Sequence, residues 1–204
     1  YAMALFLKIL YEDGGLKGLV GCHNPIALTF ETKEDGSYAL QDYWTPQDAD
    51  YIASIHERFP KDIWEDALDT QKFITPHTQA CYAQAVSYYH FNAGGWIGTL
   101  LKTIVSSPAG HTVPRAYINE HESEYREMIF YGENTLRFCV SLFEEGDQDT
   151  MESQIMAYAC RDILGIAQEE STAETGQKWY DEYKAQALSS RETNGDAFLK
   201  ENDP

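Results

Sequence analysis

The sequence predicts an α+β protein, a small N-terminal antiparallel sheet covered by helices and followed by a C-terminal helical bundle. Three observations predict it. Apolar residues run together or alternate through the first 45 positions, an Asp35-Gly36 pair divides two alternating runs, and from residue 114 the apolar spacing changes to threes and fours. Alternation places side chains on one face of a strand, whereas spacings of three and four draw a stripe along a helix.

Residues 2–11 are almost unbrokenly apolar, which predicts a strand covered on both faces and central in its sheet. After the turn Asp13-Gly14-Gly15 comes a poorly patterned stretch. Ile26, Leu28 and Phe30 then alternate up to Asp35-Gly36, and Tyr38, Leu40 and Trp44 continue beyond it. An aspartate-glycine pair between such runs predicts a hairpin, because the turn requires positive φ and glycine adopts it without steric cost. Pro46 stops the last strand, and Asp48 or Asp50 is placed to cap a helix over 48–58. A second helix is expected over 60–68 with Pro60 in its first turn, and a third over 70–91 with a possible kink at Pro76. These helices should cover one face of the sheet.

Asn92-Ala93-Gly94-Gly95 breaks the pattern, Trp96–Val105 reads as a short apolar helix, and Ser106–Pro114 reads as loop. The expected division is therefore a sheet-and-helix domain over 1–92, a linker with a short helix over 93–113, a helical domain over 114–190 and a polar tail over 191–204. Tyr125, Met128, Ile129, Gly132, Leu136, Cys139, Val140 and Phe143 predict one long helix, with Gly132 marking close packing. Past the turn at Glu144-Glu145-Gly146-Asp147, a second helix presents Met151, Ile155, Tyr158 or Ala159, Ile163 and Ile166. Trp179, Tyr183 and Leu188 suggest a third, and the tail from about residue 190 should fray.

Composition narrows the function. A chain of 204 residues buries roughly 70–75% of its unfolded surface, enough for one large or two small domains. With 15 basic against 33 acidic residues the net charge is −18, a field that repels phosphate backbones and anionic headgroups, so no nucleic-acid partner is expected. No apolar run approaches the ~20 residues of a membrane helix, and no basic-then-apolar leader opens the chain. Because Tyr1 stands in what reads as mid-strand, the expectation is a fragment, attached to a membrane only through a segment absent from this sequence. Cys22, Cys81, Cys139 and Cys160 are widely spaced without a CxxC pair, and the last two fall on apolar helix faces as small buried hydrophobes. The sequence leaves their disulfide state open.

Each residue group that could carry chemistry also has a packing role open to it. His121-Glu122-Ser123-Glu124 begins like a zinc-protease motif, but Tyr125 stands where the second histidine belongs. His77 and Cys81 are four apart, as zinc ligands can be, yet two further ligands are missing nearby. Glu144, Glu145, Asp147 and Asp149 lack the order of a calcium loop. Ser106-Ser107 and Ser189-Ser190 stand outside any nucleophile elbow, and Cys22 and His23 point to opposite faces of a strand. No catalytic residue, metal or cofactor is assigned. Tyr43, Trp44, Tyr51, Tyr88, Tyr89, Phe91 and Trp96 would line a binding groove or else pack between sheet and helices. Arg137 and Arg161 would read a carboxylate ligand or else pair with Glu133, Asp162 or another acid. The binding candidates are thus Tyr43, Trp44, Tyr51, Tyr88, Trp96, Arg137 and Arg161.

The run Tyr43 to Pro60, YWTPQDADYIASIHERFP, with the hairpin before it and Ala67-Leu68-Asp69-Thr70-Gln71 after it, resembles a C-terminal extracytoplasmic region of clostridial antirepressor membrane metallopeptidases, the beta-lactam-sensing regulator type. In the second half, Glu124-Tyr125, Gly132, Thr135 through Cys139, Phe143, Ile155-Met156-Ala157 and Ala159 through Ile163 resemble a helical block of related clostridial proteins. Together the likeness spans most of 1–165. It implies a non-catalytic sensing or regulatory domain outside the cytoplasm, coupling a ligand or protein partner to a protease domain elsewhere in a membrane-anchored chain. The family's peptidase motif has no counterpart here, so no catalytic residue carries over, and without a serine-lysine penicillin-binding motif beta-lactam binding is not implied. Two alternatives stand beside it: a hydrolase or metal-dependent enzyme assembled from dispersed residues such as His56, His77, His90 and His121, and a structural or oligomerisation domain.

Overall fold

In a computed structural model, residues 1–108, 110, 112–167 and 175–201 are described, the side chains of Asp48 and of residues 190–201 excepted. The chain is α+β, and it divides into two compact units, Tyr1–Phe91 and Asn92–Pro204.

The first unit opens with β1 (Ala2–Glu12), β2 (Gly15–Thr32) and β3 (Tyr38–Trp44), an antiparallel meander in the order β1-β2-β3. The central strand is β2, not the apolar β1. Its 18 residues pair with β1 through Gly15–Ile26 and with β3 through Ala27–Thr32. The stretch that reads as unpatterned is strand, with one glycine allowing close backbone approach and another bonded to a distant side chain. A Cβ on Gly21 would stand 2.7 Å from the Phe6 carbonyl oxygen, and Gly18 donates its N–H to the Tyr82 hydroxyl at 3.3 Å. Nor is β1 covered on both faces: Phe6 is 71% exposed, and Val20, on the neighbouring strand, 70%. The expected Asp35-Gly36 hairpin is present. Gly36 has φ +80°, and the Asp35 carboxylate accepts the Ser37 N–H at 2.9 Å.

A 3-10 turn over Asp48–Asp50 leads into α1 (Tyr51–Arg58), and another over Lys61–Ile63 into α2 (Trp64–Leu68), before α3 (Gln71–Tyr88). Asp50 occupies the position before α1 but its side chain makes no capping hydrogen bond, and the Asp48 side chain lies outside the described residues. Ile55, Phe59 and Ala67 are buried together, with Trp44, Tyr51, Ile63 and Trp64 packed around them. The third helix runs continuously through Pro76 and lies against β1 and β2.

The second unit contains α4 (Ala93–Val105), α5 (Pro114–Glu120), α6 (Glu122–Phe130), α7 (Glu133–Glu145), α8 (Met151–Leu164) and α9 (Gly176–Glu201). Residues 93–105 are not linker. Asn92 caps α4 by accepting the Gly95 N–H at 3.1 Å, and Ile97, Leu100, Leu101 and Ile104 are buried against α5 to α8. Of the expected loop after it, Ala109 and His111 lie outside the described residues. The long helix expected over 125–143 is two helices. Gly132 takes φ +51°, which ends α6, and the buried Thr135 hydroxyl donates to the Met128 carbonyl at 2.6 Å across the break. Gly165 at φ +68° closes α8, with the Ile166 N–H on the Arg161 carbonyl at 2.9 Å, the left-handed cap that relieves helix-end carbonyls. The backbone of the expected tail is helical as far as Glu201, and residues 202–204 lie outside the described residues.

Candidate functional sites

A cavity of about 270 Å³ lies in the first unit, between β1 and the helices. Met3, Pro25, Phe59, Ile63 and Phe73 make its wall apolar, and Asp66 and His77 supply its polar groups. Asp66 pairs with Lys72 at 2.5 Å. Behind His77 stands His23 of β2, its Nε2 2.9 Å from the His77 Nδ1, the rings nearly perpendicular at 86°. Phe73 stacks on His77 at 6.1 Å. A bond between two imidazoles needs one N–H and one lone pair, so the pair is neutral or shares a single proton. Burial, and next the neighbouring His77, lower the pKa of His23, while the Thr70 backbone pulls the other way. His23 Nδ1 itself makes no hydrogen bond of ordinary geometry.

The second unit holds a cleft of about 140 Å³ between α8, α9 and the start of α5, lined by Pro114, Gln154, Ala157, Tyr158, Arg161 and Trp179 among others. Arg161 is only 8% exposed, and its guanidinium lies 5.4 Å from the Trp179 ring centre. Arg115 stands over Tyr158 at 5.5 Å. Such cation–ring contacts contribute about 0.5–2 kcal/mol, far less than a guanidinium loses on leaving water. Asp162, which sequence offers as a partner for Arg161, instead accepts the Tyr125 hydroxyl at 2.7 Å. Burial, and then that bond, raise the Tyr125 pKa. No hydrogen bond or ion pair joins the Arg161 side chain to another described residue.

A third cluster was not legible as a unit in sequence. Ser107 Oγ lies 2.9 Å from His121 Nε2, and His121 Nδ1 lies 4.0 Å from Glu124 Oε2. Glu124 also accepts the Ser123 hydroxyl at 2.7 Å, the main reason its pKa is lowered. The two elements meet only through the fold, because Ser107 and His121 are 14 positions apart.

The remaining candidates are dispersed. Trp44 packs on Phe59 at 5.8 Å and Tyr51 belongs to the same core layer, so both serve packing. Tyr43 and Tyr88 are 68% and 79% exposed, and none of these four lines the cavity. Trp96 belongs to the second unit and donates its indole N–H to Glu127 at 2.6 Å. Arg137 forks onto Glu133 at 3.0 and 2.6 Å, the bland partner its spacing allows. His56 stacks on Trp64 at 4.0 Å. His90 takes positive φ after α3. The four cysteines are free thiols; Cys139 and Cys160 are buried, and the Cys139 pKa is raised by its hydrogen bond to Cys160 and by burial. Among the described residues no three histidine, cysteine or acidic side chains converge as metal ligands.

These features define an α+β protein with an apolar cavity in one unit and a guanidinium-floored cleft in the other. No family model matches the chain, and comparison with curated proteins and with solved structures finds no match.

Proposed function

We propose that this chain is a recognition module, the extracytoplasmic sensing or regulatory part of an antirepressor-type membrane metallopeptidase, taking a small apolar ligand in its first unit. The observation that carries the reading is the cavity beside the histidine pair: apolar walls give affinity without orientation, and His77 and Asp66 offer the few polar contacts that fix a pose. The resemblance of the Tyr43–Pro60 run supports the signalling context. Titration with indole, followed through the imidazole NMR signal of His77, tests the cavity. A saturable shift that Ala2→Trp abolishes is expected, since Ala2 lines the space. A linear, unsaturated response would sink the cavity reading. Protease accessibility of the segment on intact cells tests the location.

A second reading, a hydrolase, is favoured by Ser107, His121 and Glu124. In it Ser107 Oγ attacks an acyl carbon as its proton passes to His121 Nε2, the leaving group departs with that proton, and water then frees the acid. Covalent labelling by a fluorophosphonate that is lost in Ser107→Ala supports this reading, and an unlabelled wild type removes it.

A further inference from the structure

We infer that the cleft between α8 and α9 is a binding site for a small organic monocarboxylate, with Arg161 as the group that reads its carboxylate. The inference is independent of the cavity in the first unit. A guanidinium more than nine-tenths buried normally has its charge answered by a carboxylate, and here the nearest acid along the helix is committed to Tyr125. The Trp179 ring, 5.4 Å from the guanidinium carbon, makes a cation–ring contact that takes up none of its N–H donors, and a guanidinium's planar fork of donors matches a carboxylate bidentately. The size of the space limits the remainder of the ligand. A cavity of about 150 Å³ holds a benzene ring, and the cleft measures about 140 Å³. Pro114, Ala157, Tyr158 and Trp179 give that ring an apolar wall.

The charge balance favours a monoanion over phosphate. The chain carries −18, so each additional negative charge on a ligand meets repulsion, and Arg161 supplies one buried fork to offset it. Arg115, over Tyr158, adds attraction at the same wall.

Calorimetric titration with sodium benzoate, with benzamide and inorganic phosphate as controls, tests the inference. One saturable benzoate site per chain is expected, with benzamide and phosphate binding much more weakly. Arg161→Gln should weaken benzoate about thirtyfold or more. Arg161→Lys, which keeps the charge but loses the fork, should fall between the two. Thermal unfolding of both variants establishes that they fold, and Arg137→Gln should bind like the wild type. Phosphate binding as tight as benzoate, or benzoate affinity unchanged by Arg161→Gln, would overturn the proposal. So would binding that appears only after Glu169, Glu170 and Glu174, acids nearby in the sequence, are replaced by glutamine, because the carboxylate would then belong to the chain itself.

Discussion

The two units solve the placement of polar groups in opposite ways. The first puts a hydrogen-bonded, half-buried histidine pair beside an apolar cavity, a pair that can carry at most one extra proton while its bond is kept. The second puts a permanent cation under a cleft and compensates it with an indole face. Histidine can shed its charge on burial and arginine cannot, so only the second site demands an anion to complete it. The cores differ similarly. A thin layer around Ile55 and Phe59 serves one side of the sheet, whereas α4 and α8 are buried along much of their length among their neighbours.

The sharpest way to break the comparison is through the ring stack of the second unit. Phe143 is buried, lies 5.0 Å from the Tyr180 ring and also meets Trp179. Phe143→Ala should cost about 3–5 kcal/mol, measured by urea unfolding followed on helical circular dichroism. Gly176→Ala comes next. A Cβ there would stand 2.1 Å from the Ser153 carbonyl oxygen, backbone that cannot swing away, so α9 must lift from α8 at a cost of about 1–3 kcal/mol. Arg161→Met sharpens the contrast in the other direction. It keeps the stem and removes a buried charge that no carboxylate among the described residues answers, and should raise stability by about 1 kcal/mol in the absence of ligand, read from the urea midpoint.

The histidine pair gives a smaller, pH-dependent effect. Because the folded pKa of His23 is lowered, the unfolded chain binds the proton more readily, and stability rises with pH. The contribution is complete above the unfolded value of about 6.5 and is lost as pH falls through the folded one. The melting temperature should therefore drop between about pH 7 and pH 5 more steeply in wild type than in His23→Gln. Least of all, Arg137→Ala should change stability by no more than about 0.5 kcal/mol, since its pair with Glu133 is solvent-exposed on both sides.

Legibility in the sequence followed the range of the interaction. Asp35-Gly36 announced its hairpin because the required φ is local to Gly36, and the stripe ending at Phe143 announced helix because its spacing is local too. Strand β2 was hidden because Gly18 and Gly21 are set by Tyr82 and Phe6, distant partners that no pattern reveals. The break at Gly132 was missed for a related reason: the stripe of apolar residues continues across it, and only the backbone angle shows the interruption. Of the candidate site, Arg161 was visible as a charge on an apolar helix. What set it apart from Arg137 was invisible, namely that Asp162 is occupied by Tyr125 while Glu133 is at hand. The approach of Ser107 to His121 likewise depends on how α4 and α5 meet.

The meander order of the sheet also bears on how the chain is made. Each strand pairs with its neighbour in sequence, so the sheet is complete in principle once Trp44 has left the ribosome. Its helical cover is not, because α3 ends only at Tyr88. At about 5–20 residues per second, translation leaves the nascent sheet bare for roughly 2–9 s. During that interval the face meant for α3 is as wet as the one carrying Phe6 and Val20, and a chaperone that holds apolar strands would find both sides open to it.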